Sequence, residues 1–311
     1  MSQMSAAVQI EPIRLRHIPA VTRMVYANMI GVDVDFTRLT GTPWRRAFSY
    51  LVVPLYLLTA GKGFLARHQS KIAGCGYYHL RQLSGFVFNV SVNAAHRRQG
   101  VATQLMHYLQ QQIAGAGLSW VALHVDRDNA PAQALYQRLG YRPYHPYYLR
   151  LPAISLTRKA YHGQTLEPLP RRTGSRRFLA YLHGEREAGD PWAAAVVRAD
   201  YSELIPSGGH FWSVQREGKV VGALWMGDAG DTRQAMVALA PLWWDRSDLY
   251  EAIFHGIVAT GNRQAQRNGL ELYLGSSAHY EATLDFWRQL GFVAQRRARI
   301  LMLKSLKDEG G

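Results

Sequence analysis

Apolar residues change their spacing repeatedly along the chain, and each change marks an element. Residues 8–14 alternate as a half-buried strand does, and 17–29 carry apolar side chains at helical spacing. An apolar stretch around Tyr50 and Leu58 predicts a buried helix or lid. Strand-like runs follow at 63–68, 72–80 and 86–92, and a helix opening at Gln99 or Gly100 continues to 114. Then come a strand at 120–125, a helix at 130–139 and a closing strand at 144–151. That order predicts an α/β domain, a central mixed sheet with helices on both faces.

Residues 156–177 hold Pro, Gly, Thr and basic residues with no sustained period, and read as a linker. The expected organisation is a first domain over 1–155 and a second over 178–311. In the second, 210–215 and 219–225 form a hairpin turning at Glu217-Gly218. A strand is expected at 234–240, a helix at 248–268, a strand at 271–274, a helix at 282–290 and a final strand at 297–303. A local echo links the halves: Leu135-Tyr136-Gln137-Arg138-Leu139-Gly140-Tyr141 against Phe286-Trp287-Arg288-Gln289-Leu290-Gly291-Phe292. Both glycines suit the left-handed position that ends a helix. With the matching element order, the echo predicts an internal duplication.

At 311 residues the chain has room for two ordinary domains, and 48% hydrophobic with 19% charged residues is a soluble globular composition. A net charge of +14 favours an anionic partner. The arginines are scattered in pairs such as Arg45-Arg46 and Arg171-Arg172, with neither a basic tract nor an RNA-stacking motif. Nucleic acid is therefore not the expected partner. The single cysteine, Cys75, lies in an apolar run and reads as a packing residue; it allows no disulfide framework and suits the cytoplasm. No secretory signal is visible, and the apolar stretch 48–60, broken by Pro54, is shorter than the ~20 residues of a membrane span.

Two segments carry chemistry. After the strand ending near Val92, Arg97-Arg98-Gln99-Gly100-Val101-Ala102-Thr103 leads into a helix whose first N–H groups and dipole form an anion cradle. Gly100 lacks the Cβ that would block a phosphate, Ala102 keeps the first turn slim, and the arginines add charge. In the second segment, Asp128 or Asn129 caps a helix with Pro131 in its first turn. Ala132 and Tyr136 stand one turn apart there, leaving a slot toward the phenol.

Together these segments resemble the GNAT family of N-acetyltransferases. The family's Arg/Gln-x-x-Gly-x-Gly/Ala loop is matched by Arg97, Gly100 and Ala102. Its Asn-x-x-Ala-x-x-Leu-Tyr-x-x-x-Gly-Phe/Tyr pattern is matched by Asn129, Ala132, Leu135, Tyr136, Gly140 and Tyr141. The resemblance covers roughly residues 8–151 and implies a mostly antiparallel sheet whose fourth and fifth strands splay apart. It implies acetyl-CoA as co-substrate and no metal, with a pantetheine arm along Val90 to Val92. The pyrophosphate would rest on the amides of Arg98 to Thr103, Asn129 would hold the arm, and the Tyr136 hydroxyl would face the sulfur. The implied reaction is direct transfer of an acetyl group to a primary amine of a small molecule or peptide; the alternative is a non-catalytic, CoA-responsive or RNA-associated module. The fourth strand carries no carboxylate, unlike family members with an acidic base there, so His79, His124, Asp126 or a water remain as bases. The second half resembles a decayed copy. Trp243 and Trp244 stand where the phosphate loop belongs, Tyr280 where Asn129 would be and Trp287 where Tyr136 is. That half would cover the acceptor side or mediate a homodimer.

Overall fold

The computed structural model describes residues 8–29, 42–59, 61–81, 84–144, 148–151, 166–174, 178, 209–229, 232–239, 246–259, 269–273, 283–295 and 299–307. In the first unit, β1 (Gln9–Pro12) precedes α1 (Ile18–Met29) and α2 (Pro43–Thr59). Next come β2 (Lys62–His68), β3 (Lys71–Leu80) and β4 (Gly85–Val92), and β1 to β4 pair antiparallel in succession. A crossover through α3 (Val101–Gly115) brings β5 (Trp120–Asp126) parallel to β4, as such a connection requires. The unit continues with α4 (Ala130–Arg138) and β6 (Arg142–Tyr144).

Consecutive residues of a strand point to opposite faces, and the two cores divide accordingly. Tyr77 lies with Val21, Val25, Val53 and Leu57 of α1 and α2, whereas Tyr78 lies with Leu105, Met106, Leu109 and Ile113 of α3. The α3 residues recur at helical spacing and bury one stripe. That helix rests low on the sheet because glycines lie beneath it. A Cβ on Gly85 would stand 2.4 Å from Ile113, and one on Gly76 3.0 Å from Leu109.

β7 (Tyr148–Leu151) opens the second unit, followed by β8 (Leu166–Leu169), β9 (His210–Arg216), β10 (Lys219–Ala229) and β11 (Thr232–Leu239). Then come α5 (Ser247–Ala259), β12 (Leu270–Tyr273), α6 (Leu284–Gln289) and β13 (Val293–Gln295). The last strand of the chain, β14 (Arg299–Ser305), belongs to the first sheet.

Strand order in the first sheet is β1-β2-β3-β4-β5-β14-β6, and in the second β8-β9-β10-β11-β12-β7-β13. The two orders coincide position by position, with parallel pairing at β4–β5 and at β11–β12. The duplicated topology is therefore present, but its closing strands are exchanged. The sequence predicts that 144–151 closes the first sheet and 297–303 the second. Instead β14 pairs with β5 and β6, and β7 with β12 and β13. The units are Met1–Tyr144 with Ala298–Gly311, and His145–Arg297, rather than 1–155 and 178–311. The apolar run in either segment marks a strand; it does not say which sheet receives it.

The predicted linker also holds structure. Residues 166–169 form β8, antiparallel to β9 at a sheet edge. A four-residue edge strand tolerates Pro168 because its outer side needs no ladder donor, and that proline hides the strand from a propensity reading.

The local echo holds at the level of hydrogen bonds. Tyr141 N–H donates to the Tyr136 carbonyl at 2.9 Å and Gly140 N–H to that of Gln137 at 3.0 Å. Phe292 and Gly291 repeat this onto Trp287 and Arg288 at 3.0 and 2.9 Å. Gly140 and Gly291 take φ of 84° and 89°, the left-handed closure expected of both.

Candidate functional site

The parting of β4 from β5 is written into their register. Gly85, Phe86 and Val87 pair with Val121, Ala122 and Leu123, and beyond Val87 the strands share no further pairs. The cause lies on the other edge of β4. The β3–β4 register shifts between Cys75 and Tyr77, so Asn89 and Val90 together oppose Gly76, and Asn89 takes a φ of 50°. Such a bulge bends its strand and steepens its twist, turning the end of β4 away from β5. It also shifts the phase of the strand. Phe88 packs toward Tyr77, whereas Val90 and Val92 pack toward the α3 core. The signal in the sequence was a lone Asn, a poor strand former, amid apolar residues.

Gly100 takes a φ of 77° and precedes α3, and Arg98 is also left-handed at 61°. The first intrahelical bond runs from Gln104 N–H to the Gly100 carbonyl at 3.0 Å. The N–H groups of Val101 to Thr103 precede that bond and have no intrahelical partner. These donors, at the positive end of a fifteen-residue helix, make an anion-binding concavity. A Cβ on Gly100 would have only Gln104 Nε2 nearby, at 3.9 Å, so the space over the cradle is open. Val101 is buried and anchors the turn, and Ala102 and Thr103 are partly exposed.

Two expectations need correction here. Arg97 does not stand free beside the cradle, because its guanidinium donates to Asn28 Oδ1 at 2.6 Å and to the Val92 carbonyl at 3.4 Å. Asn28 Nδ2 donates to the same carbonyl at 3.2 Å, so the Val92 carbonyl is already engaged and the open edge of β4 is shorter than 90–92 suggests. Asn28 was missed because it lies 64 residues before Val92 in a helix that gives no sign of a site. Gln99 Nε2 turns back to the Ala95 carbonyl at 3.1 Å, leaving Arg98 as the cradle's exposed cation.

On the other side of the gap, Asn129 Oδ1 accepts from Ala132 N–H at 3.2 Å and caps α4. The residue expected to hold an arm is thus also the cap, and its amide NH2 remains as the donor. Ala132 and Leu135 pack against the α3 core, and Tyr136 is 8% exposed, its ring edge-on to Tyr141 at 5.8 Å. Burial pushes the Tyr136 phenol up to about 12, so it stays protonated at neutral pH.

His79, His124 and Asp126 come together on the sheet face opposite α3. The His79 and His124 rings lie 5.3 and 5.4 Å from that of Phe86, and Phe88 lies 5.4 Å from His79 and 6.2 Å from Tyr56. Arg81 Nε donates to His79 Nε2 at 2.8 Å, and its guanidinium lies 4.1 Å above the Phe86 ring. Asp126 pairs with Arg299 of β14 at 3.2 Å, 173 residues away, a partner that the expected domain boundary excludes. Cys75 is fully buried beneath this face, its thiol pushed up to about 12 by burial, and is the packing residue its surroundings predicted.

In the second unit, Trp287 holds the Tyr136 position. It is fully buried, with Phe286, Phe292 and Tyr250 ring centroids within 5.7 Å. Trp243, Trp244 and Tyr280 lie outside the described residues.

Residues 32–141 match the model of the "Acetyltransferase (GNAT) family". The curated relative GCN5-related N-acetyltransferase 6, chloroplastic, of Arabidopsis thaliana is 33% identical over 58 residues, 19% of this chain; the chain spans about a fifth of that relative's length (20%). Among solved structures, a GCN5-related N-acetyltransferase from Sphaerobacter thermophilus aligns over 96% of each chain with TM-score 0.50 and 14% identity. One from Kribbella flavida aligns over 99% of this chain and 73% of its own with TM-score 0.52 and 14% identity. At such identities the likeness is one of fold, and it extends across both units.

Proposed function

We propose, for a chain whose residues 32–141 match the model of the GNAT acetyltransferase family, that the protein transfers the acetyl group of acetyl-CoA directly to a primary amine, and that only the first unit binds the acyl donor. The observation that carries this reading is the parted β4–β5 pair with an open N–H cradle at one end and a buried phenol on the far side. The free edge of β4 offers backbone partners to an extended arm as an added strand would use them. The N–H groups of Arg98 to Thr103 would hold the pyrophosphate, with Arg98 as countercharge, and Asn129 Nδ2 and Ala132 would line the arm. Acetyl-CoA supplies an acyl carbon activated as a thioester. Around it the chain excludes water, offers a bulge N–H of β4 to the carbonyl oxygen and presents the Tyr136 hydroxyl to the sulfur.

The second unit supports the same reading by contrast. A larger, fully buried indole, Trp287, stands at the position that the Tyr136 phenol holds in the first unit. Titration calorimetry with acetyl-CoA is the deciding measurement. One site per chain is expected; two equal sites would remove the assignment to the first unit, and no heat at millimolar ligand would remove the transferase reading.

Gly100→Val should weaken that binding more than tenfold. A β-branched residue at φ 77° costs on the order of 1–2 kcal/mol, and its methyl groups enter the cradle rather than the protein, where nothing lies closer than 3.9 Å. Melting temperature should fall by only a few degrees. Unchanged affinity in a folded variant would show that the anion rests elsewhere.

A further inference from the structure

We infer that Asn28 and Arg97 form a clasp that positions the acetyl-CoA cradle, Arg97 acting through Asn28 and the end of β4 rather than on the phosphates. This rests on the acetyl-transfer reading and deepens it. The chain places an arginine immediately before the cradle, where its charge would serve a pyrophosphate. Its guanidinium is directed instead to a strand end and to α1, on the sheet face opposite α3.

The clasp begins at a strand edge. Asn93 N–H donates to the Ala73 carbonyl at 2.8 Å, so that pair bonds across to β3. In an antiparallel ladder the neighbouring residue turns its polar groups the other way, which sends the Val92 carbonyl to the side where β5 has parted. A carbonyl there needs a donor. Asn28 Nδ2, in the last turn of α1, supplies one at 3.2 Å, and Arg97 Nε adds a longer one at 3.4 Å. Arg97 Nη2 also donates to Asn28 Oδ1 at 2.6 Å, which closes a ring of hydrogen bonds among the three residues.

What lies between clasp and cradle makes the tie matter. From Asn93 the chain makes one tight turn. Asn93 Oδ1 accepts from Ala95 N–H at 3.2 Å, its carbonyl from His96 N–H at 2.9 Å, and Arg97 N–H donates to the Ala94 carbonyl at 3.3 Å. Arg97 then returns its side chain to Val92, five residues back, and Gln99 returns its own to Ala95. Between these two anchors stands Arg98 at a φ of 61°, and after them Gly100 at 77°. A non-glycine residue keeps a left-handed backbone only where its surroundings over-determine it, and the anchors on either side do so here. They hold the turn into the helix start before any anion arrives, which spares the loop the ordering it would otherwise undergo on binding. The guanidinium suits this role: it reaches Asn28 and Val92 from two nitrogens of one rigid fork, which an ammonium on a flexible stem does not.

The experiment measures acetyl-CoA affinity by calorimetry at low and high salt (about 50 and 500 mM), and the melting temperature of the ligand-free protein. It uses the wild type, Asn28→Ala, Arg97→Ala, their double variant, Arg97→Lys and Arg98→Ala. Asn28→Ala and Arg97→Ala should each weaken binding about tenfold while melting within a few degrees of the wild type. The double variant should be no more than about twofold weaker than the worse single one, because either change opens the same clasp. Arg97→Lys keeps the charge and loses the fork, so it should bind like Arg97→Ala. The Arg97→Ala loss should be the same at both salts, whereas that of Arg98→Ala, an exposed countercharge, should shrink at the higher one. Losses that add in the double variant, an Arg97→Lys that binds like the wild type, or an Arg97→Ala loss that fades with salt would place Arg97 on the phosphates and overturn the clasp. Wild-type affinity in Asn28→Ala overturns it too. So does a fall of melting temperature by more than about ten degrees in either single variant, the mark of a tie that holds the fold rather than the cradle. A wild type that binds no acetyl-CoA would sink the transferase reading instead.

Discussion

Deleting residues 298–311 should abolish folding of the first unit, although every residue of the cradle, Asn129 and Tyr136 remain. β14 supplies the strand between β5 and β6, pairing with β5 from Arg299 to Ser305 and with β6 from Leu301 to Leu303. Ile300, Leu301, Met302 and Leu303 are each no more than 5% exposed. At about 1.5–3 kcal/mol for each buried side chain, their loss amounts to roughly 6–12 kcal/mol, as large as the whole stability of an ordinary domain. Deletion also strands Asp126 without Arg299 and removes Lys304, whose buried amine donates to Gln110 Oε1 at 3.4 Å. β6 loses its partner, and β5 becomes an open edge prone to pair with other chains. β7 cannot substitute without deserting β12 and β13. Loss of the soluble fraction, of near-ultraviolet dichroism and of acetyl-CoA binding is expected, with recovery when a peptide of residues 298–311 is supplied. A truncated chain that melts within a few degrees of the full one and still binds would refute the exchange.

The second large effect concerns Tyr136→Phe, expected to lower kcat about a hundredfold with acetyl-CoA affinity nearly unchanged. The ring keeps its edge contact with Tyr141, so the loss is that of one hydroxyl. Its size follows from the acidity. With the phenol at about 12 and a thiol near 8.5, complete proton transfer would be uphill by about 5 kcal/mol. Tyr136 therefore acts as a buried hydrogen-bond donor to developing thiolate, which places the effect at the low end of general-acid contributions of about 10²–10⁴. The same raised value predicts no alkaline limb from this residue below pH 10, since it loses its proton only near 12. A falling limb near pH 9 that Phe removes would contradict both the burial and the role.

The cradle and the slot were legible as strings because both depend on local geometry. Gly100 before α3, Asn129 as a cap, and Gly140 and Gly291 as helix ends are each set within four residues of themselves, and each adopts the conformation its type favours. The parting of β4 from β5 was expected only through family resemblance. Its immediate cause, the Asn89 bulge, lies within one strand but takes effect through the register with β3. Arg97 shows the same limit: an arginine beside a phosphate loop reads as countercharge, yet Asn28 on α1 claims it.

By itself the sequence determined the kinds of element, their order, the duplication and the two motifs, since propensity, capping and apolar spacing act over a few residues. Tertiary structure alone decided that β14 completes the first sheet and β7 the second. Two short apolar strands compete for equivalent places, and the outcome rests on side chains far apart in the chain, such as Arg299 reaching Asp126. It likewise gathered His79, His124, Phe86 and Tyr56 onto one face. Long-range pairing has no local signature, because its free energy is released only when the distant strands meet.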